Sequence, residues 1–357
     1  MSADVPEPDA RCRAAAYRII DANLNRCMEG FRVTEEYLRF AWDDKHLSTV
    51  CKQLRHELVA IADRLPVNRL HAMRDVVGDI GTGISTEAEY RREGLRSVAA
   101  ANVKRVEQSL RSMEEYAKVV SPALAPAFES LRYRTYVLER AISVGHESKK
   151  RLEASRLCVL VDGRESPEMF CELVTALRDN GADVIQLREK TLPDRELLRR
   201  ARALHELLRD SKTLFIVNDR VDLALAARAD GVHLGQEDLP IDETRRLMGP
   251  DRLIGVSTHG IEQARQAVLD GANYIGCGPV FPSATKAFAQ FPGPEFLAQV
   301  SREITLPAFA IGGISEKRMA TVRQCGFSRV AVSSAIVDAP DPGQATRQFA
   351  DQLQVPP

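Results

Sequence analysis

The sequence predicts an α/β protein in which an all-α helical domain, residues 1–150, precedes a (β/α)8 TIM barrel, residues 151–357. Three observations carry this. The 357 residues correspond to roughly two domains on the usual size scale. Up to residue 142 the apolar positions recur with helical spacing, glycines are few, and Arg/Glu pairs stand three and four residues apart. From residue 157 onward, short apolar runs alternate with amphipathic stretches, eight β-then-α units in about 200 residues. A doubly wound sheet would need fewer strands and a split arrangement of helices.

Composition narrows the function classes. Hydrophobic residues make up 44% of the chain, ample for a packed core, and a formal net charge of −1 argues against nucleic-acid binding over the whole surface. The opening MSADVPEPDA is acidic and proline-containing where a signal peptide would be basic and then apolar. No segment approaches the ~20 apolar residues of a membrane span. The seven cysteines (Cys12, Cys27, Cys51, Cys158, Cys171, Cys277 and Cys325) are scattered and lack CxxC pairing. They read as reduced thiols of a cytoplasmic protein, without a disulfide framework or zinc site. Small molecules are the expected partners, rather than nucleic acid or membrane, and a homo-oligomer is left open.

The helical half is internally duplicated. Ala22-Asn23-Leu24-Asn25-Arg26, followed by Arg32, Glu35, Glu36 and Tyr37, recurs as Ala101-Asn102-Val103-Lys104-Arg105, followed by Arg111, Glu114, Glu115 and Tyr116. The offset is constant (101 − 22 = 79). Two copies of one long helix imply a pseudo-symmetric bundle in which the Asn, Arg and Glu-Glu-Tyr positions meet. The Arg/Glu positions are expected to form buried or interfacial ion pairs rather than a catalytic site. Between the copies, residues 74–86 (RDVVGDIGTGIST) lack the Lys-Ser/Thr ending of a P-loop, so a connection between helices is favoured over a phosphate site. A last helix over 127–141 leads to the polar stretch Gly145-His146-Glu147-Ser148-Lys149-Lys150, the candidate linker.

In the barrel half the candidate strands are 157–161, 184–187, 214–217, 231–234, 253–256, 274–276, 308–311 and 329–332, with helices such as 194–209, 261–270, 316–325 and 342–353 between and after them. Chemistry in such barrels sits at the C-terminal strand ends. The second strand ends in Gln186, Arg188 and Lys190, which alternation places on one side. Pointing these into a barrel mouth is costly unless an anion waits there. The third strand ends in Asn218-Asp219 and the fourth in His233-Leu-Gly-Gln-Glu-Asp238. Asp219 and Asp238, on adjacent strands, suit a hard cation, and Mg²⁺ is favoured because it takes one or two carboxylates and completes its octahedron with water and phosphate oxygens. Asp238 could instead cap the helix after Pro240. His233 fits a structural, hydrogen-bonded histidine better than a base. The fifth strand brings Ser257, a donor suited to phosphate, followed by Thr258 and His259 where the next helix would start. The sixth, in Asn273–Gly293, turns at Gly276, Gly278 and Pro279 into a loop with Ser283, Thr285 and Lys286: glycines for close approach, hydroxyls to donate, a compact charge. Gly312-Gly313 after the seventh and Ser333-Ser334 after the eighth offer backbone amides for a monophosphate cup. The mouth therefore reads as holding two phosphorylated groups.

Taken together, Gln186-Leu-Arg-Glu-Lys190, Asn218-Asp219, His233-Leu-Gly-Gln-x-Asp238, Gly255-Val-Ser257, Gly278-Pro-Val-Phe-Pro-Ser-x-Thr-Lys286, Gly312-Gly-Ile314 and Ser334-Ala-Ile336 resemble the thiamine-phosphate synthase family, in order and over essentially all of the chain from Leu157. The N-terminal half resembles the helical extension of some bacterial members. The resemblance implies joining of 4-amino-2-methyl-5-(hydroxymethyl)pyrimidine diphosphate to a thiazole phosphate, giving thiamine phosphate and pyrophosphate through a pyrimidine carbocation-like intermediate. It further implies that Arg188, Lys190, Asn218 and Lys286, with Mg²⁺ on Asp219 and Asp238, stabilise the departing diphosphate. Gln186 would orient the pyrimidine and Ser257 reach the diphosphate, while Ser283, Thr285, Gly313, Ser333 and Ser334 serve the thiazole phosphate. Two positions depart from the family pattern: Ser283 stands for a usual Thr and Ser333 for a usual aliphatic residue. The related thiazole tautomerase barrel would not need the full diphosphate set, and a non-catalytic regulator of the pathway would need none of it.

Overall fold

A computed structural model of the chain describes residues 9–74, 91–282 and 291–354. Clustering of its contacts divides the chain into two compact units, with the boundary after Ile142.

The first unit is built from α1 (Ala10–Phe40), α2 (Lys45–Ala62), α3 (Val67–Ala72), α4 (Leu95–Val120) and the start of α5 (Ala125–Arg151). Asp9 and Asp44 start α1 and α2 by accepting from the amides of Cys12 (2.7 Å) and Leu47 (2.8 Å). The repeated sequences are α1 and α4, and they pack against each other in antiparallel fashion. Asn23 Nδ2 donates to Ser112 Oγ (3.2 Å), Cys27 Sγ faces Val106 O (4.0 Å), and a Cβ on Gly30 would come within 2.6 Å of Val106 Cγ2. Cys27 and Val106 are equivalent positions of the repeat, so the pseudo-two-fold axis passes between them. Local bonds are copied as well: Asn23 Nδ2 donates to Ile19 O (2.9 Å) and Asn102 Nδ2 to Val98 O (2.8 Å), and Arg32–Glu36 (3.3 Å) recurs as Arg111–Glu115 (2.8 Å).

One expectation needs correcting here. The Asn positions do lie on the α1–α4 seam, but the first Glu of each Glu-Glu-Tyr turns outward to the helix that follows its own copy. Glu35 pairs with Arg55 on α2 (3.0 Å) and Glu114 with Arg132 on α5 (2.9 Å). At the centre of the seam Cys27, Gly30 and Val106 bring the two helices into close contact. The glycine-rich connection 74–86 lies outside the described residues from position 75 on; Arg74 itself makes a bidentate pair with the buried Asp21 (2.7 Å for both bonds).

The candidate linker is not a linker. Helix α5 continues through Gly145–Lys150 to Arg151. Within the second unit its final turns are anchored at the N-terminal end of the barrel. Buried Ser148 donates to Val144 O (2.7 Å) and accepts from Asn273 Nδ2 (3.0 Å), while Arg151 donates to the carbonyls of Asp251 and Asp230. Ser148, from the stretch that suggested a solvated connection, thus ties the helix to the Asn273 side chain, and Arg151 just after it satisfies backbone carbonyls at the barrel base.

The second unit is a closed, all-parallel barrel in the order β1 (Leu157–Val161), β2 (Val184–Leu187), β3 (Leu214–Asn218), β4 (Gly231–Leu234), β5 (Leu253–Thr258), β6 (Tyr274–Cys277), β7 (Ala308–Ile311) and β8 (Val330–Val332). All eight expected strands are present, with ends shifted by no more than two residues. The helices around them are α6 (Pro167–Asp179), α7 (Asp194–Leu208), α8 (Val221–Ala226), α9 (Ile241–Met248), α10 (Ile261–Asp270), α11 (Gly293–Glu303), α12 (Met319–Gln324), α13 (Ser334–Val337) and α14 (Pro342–Gln354). The helix expected over 316–325 opens as a 3₁₀ turn, Glu316–Arg318, before α12. Alternate residues fill the interior: Leu152, Cys158, Leu160, Val184, Ile216, Leu253, Tyr274, Phe309 and Ala331 form one buried cluster. Gly255 is required beside it, because a Cβ there would lie 2.1 Å from the Tyr274 ring.

Two outcomes follow for stability. Glu114→Ala leaves Arg132, whose side chain is 9% exposed, without its carboxylate and should cost about 3 kcal/mol in urea unfolding, whereas Glu36→Ala at the exposed pair should stay within ~0.5 kcal/mol. A chain truncated to begin at Ser143 should melt higher than one beginning at Leu152, which loses the Ser148 and Arg151 bonds; equal melting temperatures would show that the end of α5 adds nothing to the barrel.

Candidate active site

The C-terminal strand ends surround a cavity of about 560 Å³. Arg188, Lys190, Asn218, Asp219, Asp238 and Ser257 line it, and so do Gly313, Ser333 and Ser334. Nine positions expected from sequence therefore converge on one space. Gln186 is 4% exposed and does not line it; its Nε2 donates to Asn218 Oδ1 (2.8 Å), which fixes the Asn218 amide from below. Ser283, Thr285 and Lys286 lie outside the described residues, although the loop that leads to them is pinned by Val280 N to Ile311 O and Phe281 N to Gly312 O (both 3.0 Å).

The carboxylate pair dominates the electrostatics. Asp219 follows β3 with φ +61°, its N–H donating to His233 O (2.8 Å). Burial, and then the hydrogen bond and charge of Asp238, push the Asp219 carboxyl up to about 6, against an opposing pull from Lys190 and Arg188. Asp238 does not cap α9, whose N-cap position is Pro240; its Oδ2 accepts the Gly235 amide (2.6 Å). No group of three or more His, Cys, Asp or Glu side chains suited to a metal occurs among the described residues. A pair of mutually repelling carboxylates in an open mouth fits Mg²⁺, which leaves most of its coordination sphere to water and phosphate oxygens.

Beneath Ser257 runs a buried relay that sequence reasoning did not find. Tyr274 OH lies 3.3 Å from His233 Nδ1, and His233 Nε2 lies 3.0 Å from Ser257 Oγ. Burial drives the imidazole down to about 4, opposed by Asp238 and aided by Arg188, so it is neutral at ordinary pH. With the tyrosine donating to Nδ1, Nε2–H donates to Ser257, and the serine proton is free for a ligand in the cavity. The spacing of Tyr274 from His233 in sequence gives no hint of this contact; only strand register makes it. Thr258 belongs to β5 and is buried, while His259 Nδ1 meets Gly278 O (2.5 Å).

The opposite side of the mouth is backbone. Gly312 and Gly313 have φ of +97° and +62°, and a Cβ on Gly313 would meet Pro282 O at 2.7 Å and Phe281 O at 2.8 Å, so only glycine fits that close approach. Ser333 donates to Leu160 O (3.1 Å), so the hydroxyl at this usually aliphatic position is taken up by the neighbouring strand.

Fold and lining define a (β/α)8 enzyme site: cations and a carboxylate pair on one side, glycine backbone on the other. Residues 157–336 match the model of the family described as "Thiamine monophosphate synthase", and residues 18–141 match the "ThiD2 family". The thiamine-phosphate synthase of Rhodopirellula baltica is 44% identical over 89% of this chain and 88% of its own, and that of Gloeobacter violaceus is 45% identical over 94% and 96%. A thiamine phosphate pyrophosphorylase structure from Pyrococcus furiosus is 37% identical, covers 57% of this chain and 98% of its own, and superposes with a TM-score of 0.52. The chain belongs to the thiamine-phosphate synthase family, and it is a transferase.

The relay carries a pH dependence. Below an imidazole's ordinary value of 6.5 the unfolded chain takes up a proton that folded His233 refuses until about 4, so His233 contributes a rise of unfolding free energy with pH between those values, opposed below about 6 by Asp219, whose raised carboxyl keeps a proton that the unfolded chain has released. Denaturant titrations should show the His233 contribution as a difference: relative to the wild type, His233→Asn loses the rising component between about 4 and 6.5, most visibly above 6 where Asp219 no longer opposes it.

Proposed function

We propose that this enzyme joins 4-amino-2-methyl-5-(diphosphooxymethyl)pyrimidine to 4-methyl-5-(2-phosphoethyl)thiazole, or to its carboxylated form with additional loss of carbon dioxide, releasing thiamine phosphate and pyrophosphate. The observation that carries the reading is the convergence of Arg188, Lys190, Asp219, Asp238 and Ser257 on one cavity in a chain of this family. The methylene C–O bond breaks, with both electrons leaving on pyrophosphate, and the thiazole nitrogen lone pair forms the new C–N bond. No nucleophilic side chain is needed. What the protein must supply is stabilisation of the leaving diphosphate and alignment of the thiazole.

Each residue then has a task. Arg188 and Lys190 take the charge that develops on the diphosphate, and Lys286 is assigned the same role. Asn218, its amide held by Gln186, donates to the leaving group or to the pyrimidine edge. Ser257, oriented through His233, donates its free proton to a diphosphate oxygen. Asp219 and Asp238 would hold Mg²⁺, which supplies Lewis-acid neutralisation of the diphosphate. Gly313 and Ser334, with Ser283 and Thr285, would seat the thiazole phosphate on the other side. All seven cysteines are free thiols, and no helix among the described residues is long and apolar enough to cross a membrane; both support a cytoplasmic location.

Purified protein given both substrates and Mg²⁺ should release pyrophosphate, and absence of release would sink the synthase reading. Arg188→Ala and Asp219→Ala should each lower kcat by roughly 10²–10³, the usual loss when one charge-stabilising group is removed. Near-normal turnover in both would remove these residues from the mechanism.

A further inference from the structure

Glu189 stands between the two cations of the Gln186–Lys190 segment, yet it does not line the cavity. Its half-buried carboxylate is saturated by the backbone around it. Oε1 accepts from Lys190 N (2.7 Å), Thr191 N (2.5 Å), Thr191 Oγ1 (2.7 Å) and Leu192 N (3.3 Å), and Oε2 accepts from Gly163 N (2.9 Å) in the β1–α6 loop. Burial alone would raise this carboxyl, but the bonds from Gly163, Thr191 and Leu192 outweigh it and hold the group at about 2, so it is ionised throughout the working range.

The far side of the link is equally tight. Gly163 O accepts from Nε of Arg200, which is buried, and a Cβ on Gly163 would lie 2.3 Å from Leu192 Cδ1 and 3.2 Å from Glu189 Oε2. Arg188 N meanwhile extends the sheet ladder to Val161 O (2.8 Å). The chain thus leaves the barrel at Arg188 in a fixed direction and folds at once around a single carboxylate. No regular secondary structure holds residues 188–192 otherwise: β2 ends at Leu187 and α7 begins at Asp194.

We propose that Glu189 is a positioning residue whose carboxylate, by gathering the Lys190, Thr191 and Leu192 amides and tying them to Gly163, aims Arg188 and Lys190 at the leaving diphosphate. The inference rests on the diphosphate role proposed above for those two cations. Glutamine at this position keeps the size but offers one acceptor oxygen and turns an NH₂ toward amides that need an acceptor. The turn would relax, and the two cations would lose their common aim while the glycine-lined side of the mouth stayed as it is.

Calorimetric titration of the full chain with pyrophosphate plus Mg²⁺, and separately with the thiazole phosphate, tests this. Glu189→Gln should weaken pyrophosphate binding about tenfold or more, equivalent to about 1.4 kcal/mol, and leave thiazole phosphate binding within about twofold. Thr191→Val, which removes one donor, should shift pyrophosphate in the same direction by less. Combined with Lys190→Ala, Glu189→Gln should cost less than in the wild-type background, because the effect travels through that lysine. Unchanged pyrophosphate affinity in folded Glu189→Gln, equal losses for both ligands, or strict additivity with Lys190→Ala would each overturn the positioning role. If Glu189→Gln does not fold, unchanged pyrophosphate affinity in Thr191→Val overturns it instead. A wild-type protein that binds no pyrophosphate overturns the diphosphate reading itself, and the proposal with it, before any variant is compared.

Discussion

Two carboxylates brought together at a half-buried barrel mouth set the terms for every other group there. Asp219 is held by its own backbone in a conformation few non-glycine residues adopt, and its carboxyl is pushed up to about 6 by burial and by Asp238. Arg188 and Lys190 relieve part of this repulsion, but they are themselves cations aimed into a cavity. A divalent cation bridging to a polyanion would neutralise both at once, because the metal takes the carboxylates and the anion takes the Arg and Lys. In the proposed reaction Mg²⁺ and the departing diphosphate would be such a pair.

Such a mouth needs a rigid floor, and the inward-facing residues supply one. Gln186 bonds to Asn218, and Tyr274 to His233 to Ser257, so the polar top layer of the barrel is cross-linked between β2 and β3 and among β4, β5 and β6. Room for the Tyr274 ring comes from Gly255 on the adjacent strand. Because Gln186 and His233 are spent on Asn218 Oδ1 and Ser257 Oγ, the Asn218 amide and the Ser257 hydroxyl are held with their own protons left for the cavity. Ordering that would otherwise be required during binding is thereby built into the folded protein.

Much of this was legible in sequence because barrels obey period two. The alternation that places Gln186, Arg188 and Lys190 on one side also places Glu189 on the other, and that much could be read without coordinates. What could not be read was where Glu189 finds partners, since Gly163 lies 26 residues away and meets it only through the pairing of β1 with β2. The Tyr274–His233 contact was hidden for the same reason. The continuation of α5 through Gly145–Lys150 was missed on different grounds. Its polar residues look solvated when taken alone, yet Ser148 accepts from the Asn273 side-chain amide 125 residues later, and Arg151 at the helix end donates to the Asp251 carbonyl 100 residues later. Short-range periodicity reports which face a residue occupies, whereas tertiary hydrogen bonds decide what a polar residue on that face is for.

The helical unit makes the same point through its symmetry. An offset of 79 residues relates Cys27 to Val106, and the two meet across the α1–α4 seam, as a two-fold axis demands. Yet the copies differ in burial where they turn to their following helices: the side chains of Glu35 and Arg55 are 17% and 25% exposed, those of Glu114 and Arg132 only 5% and 9%. Arg132 also lies against the rings of Tyr133 and Tyr136 and donates to the Tyr136 hydroxyl. A buried guanidinium with carboxylate, phenol and two ring faces around it is specific in a way that a half-exposed pair is not, because misplacing the helix would strand a charge. The seam conserves the duplicated geometry, and the asymmetric ion pairs give each copy a distinct partner helix, so the second copy cannot exchange its place with the first without losing the contacts that bury Arg132.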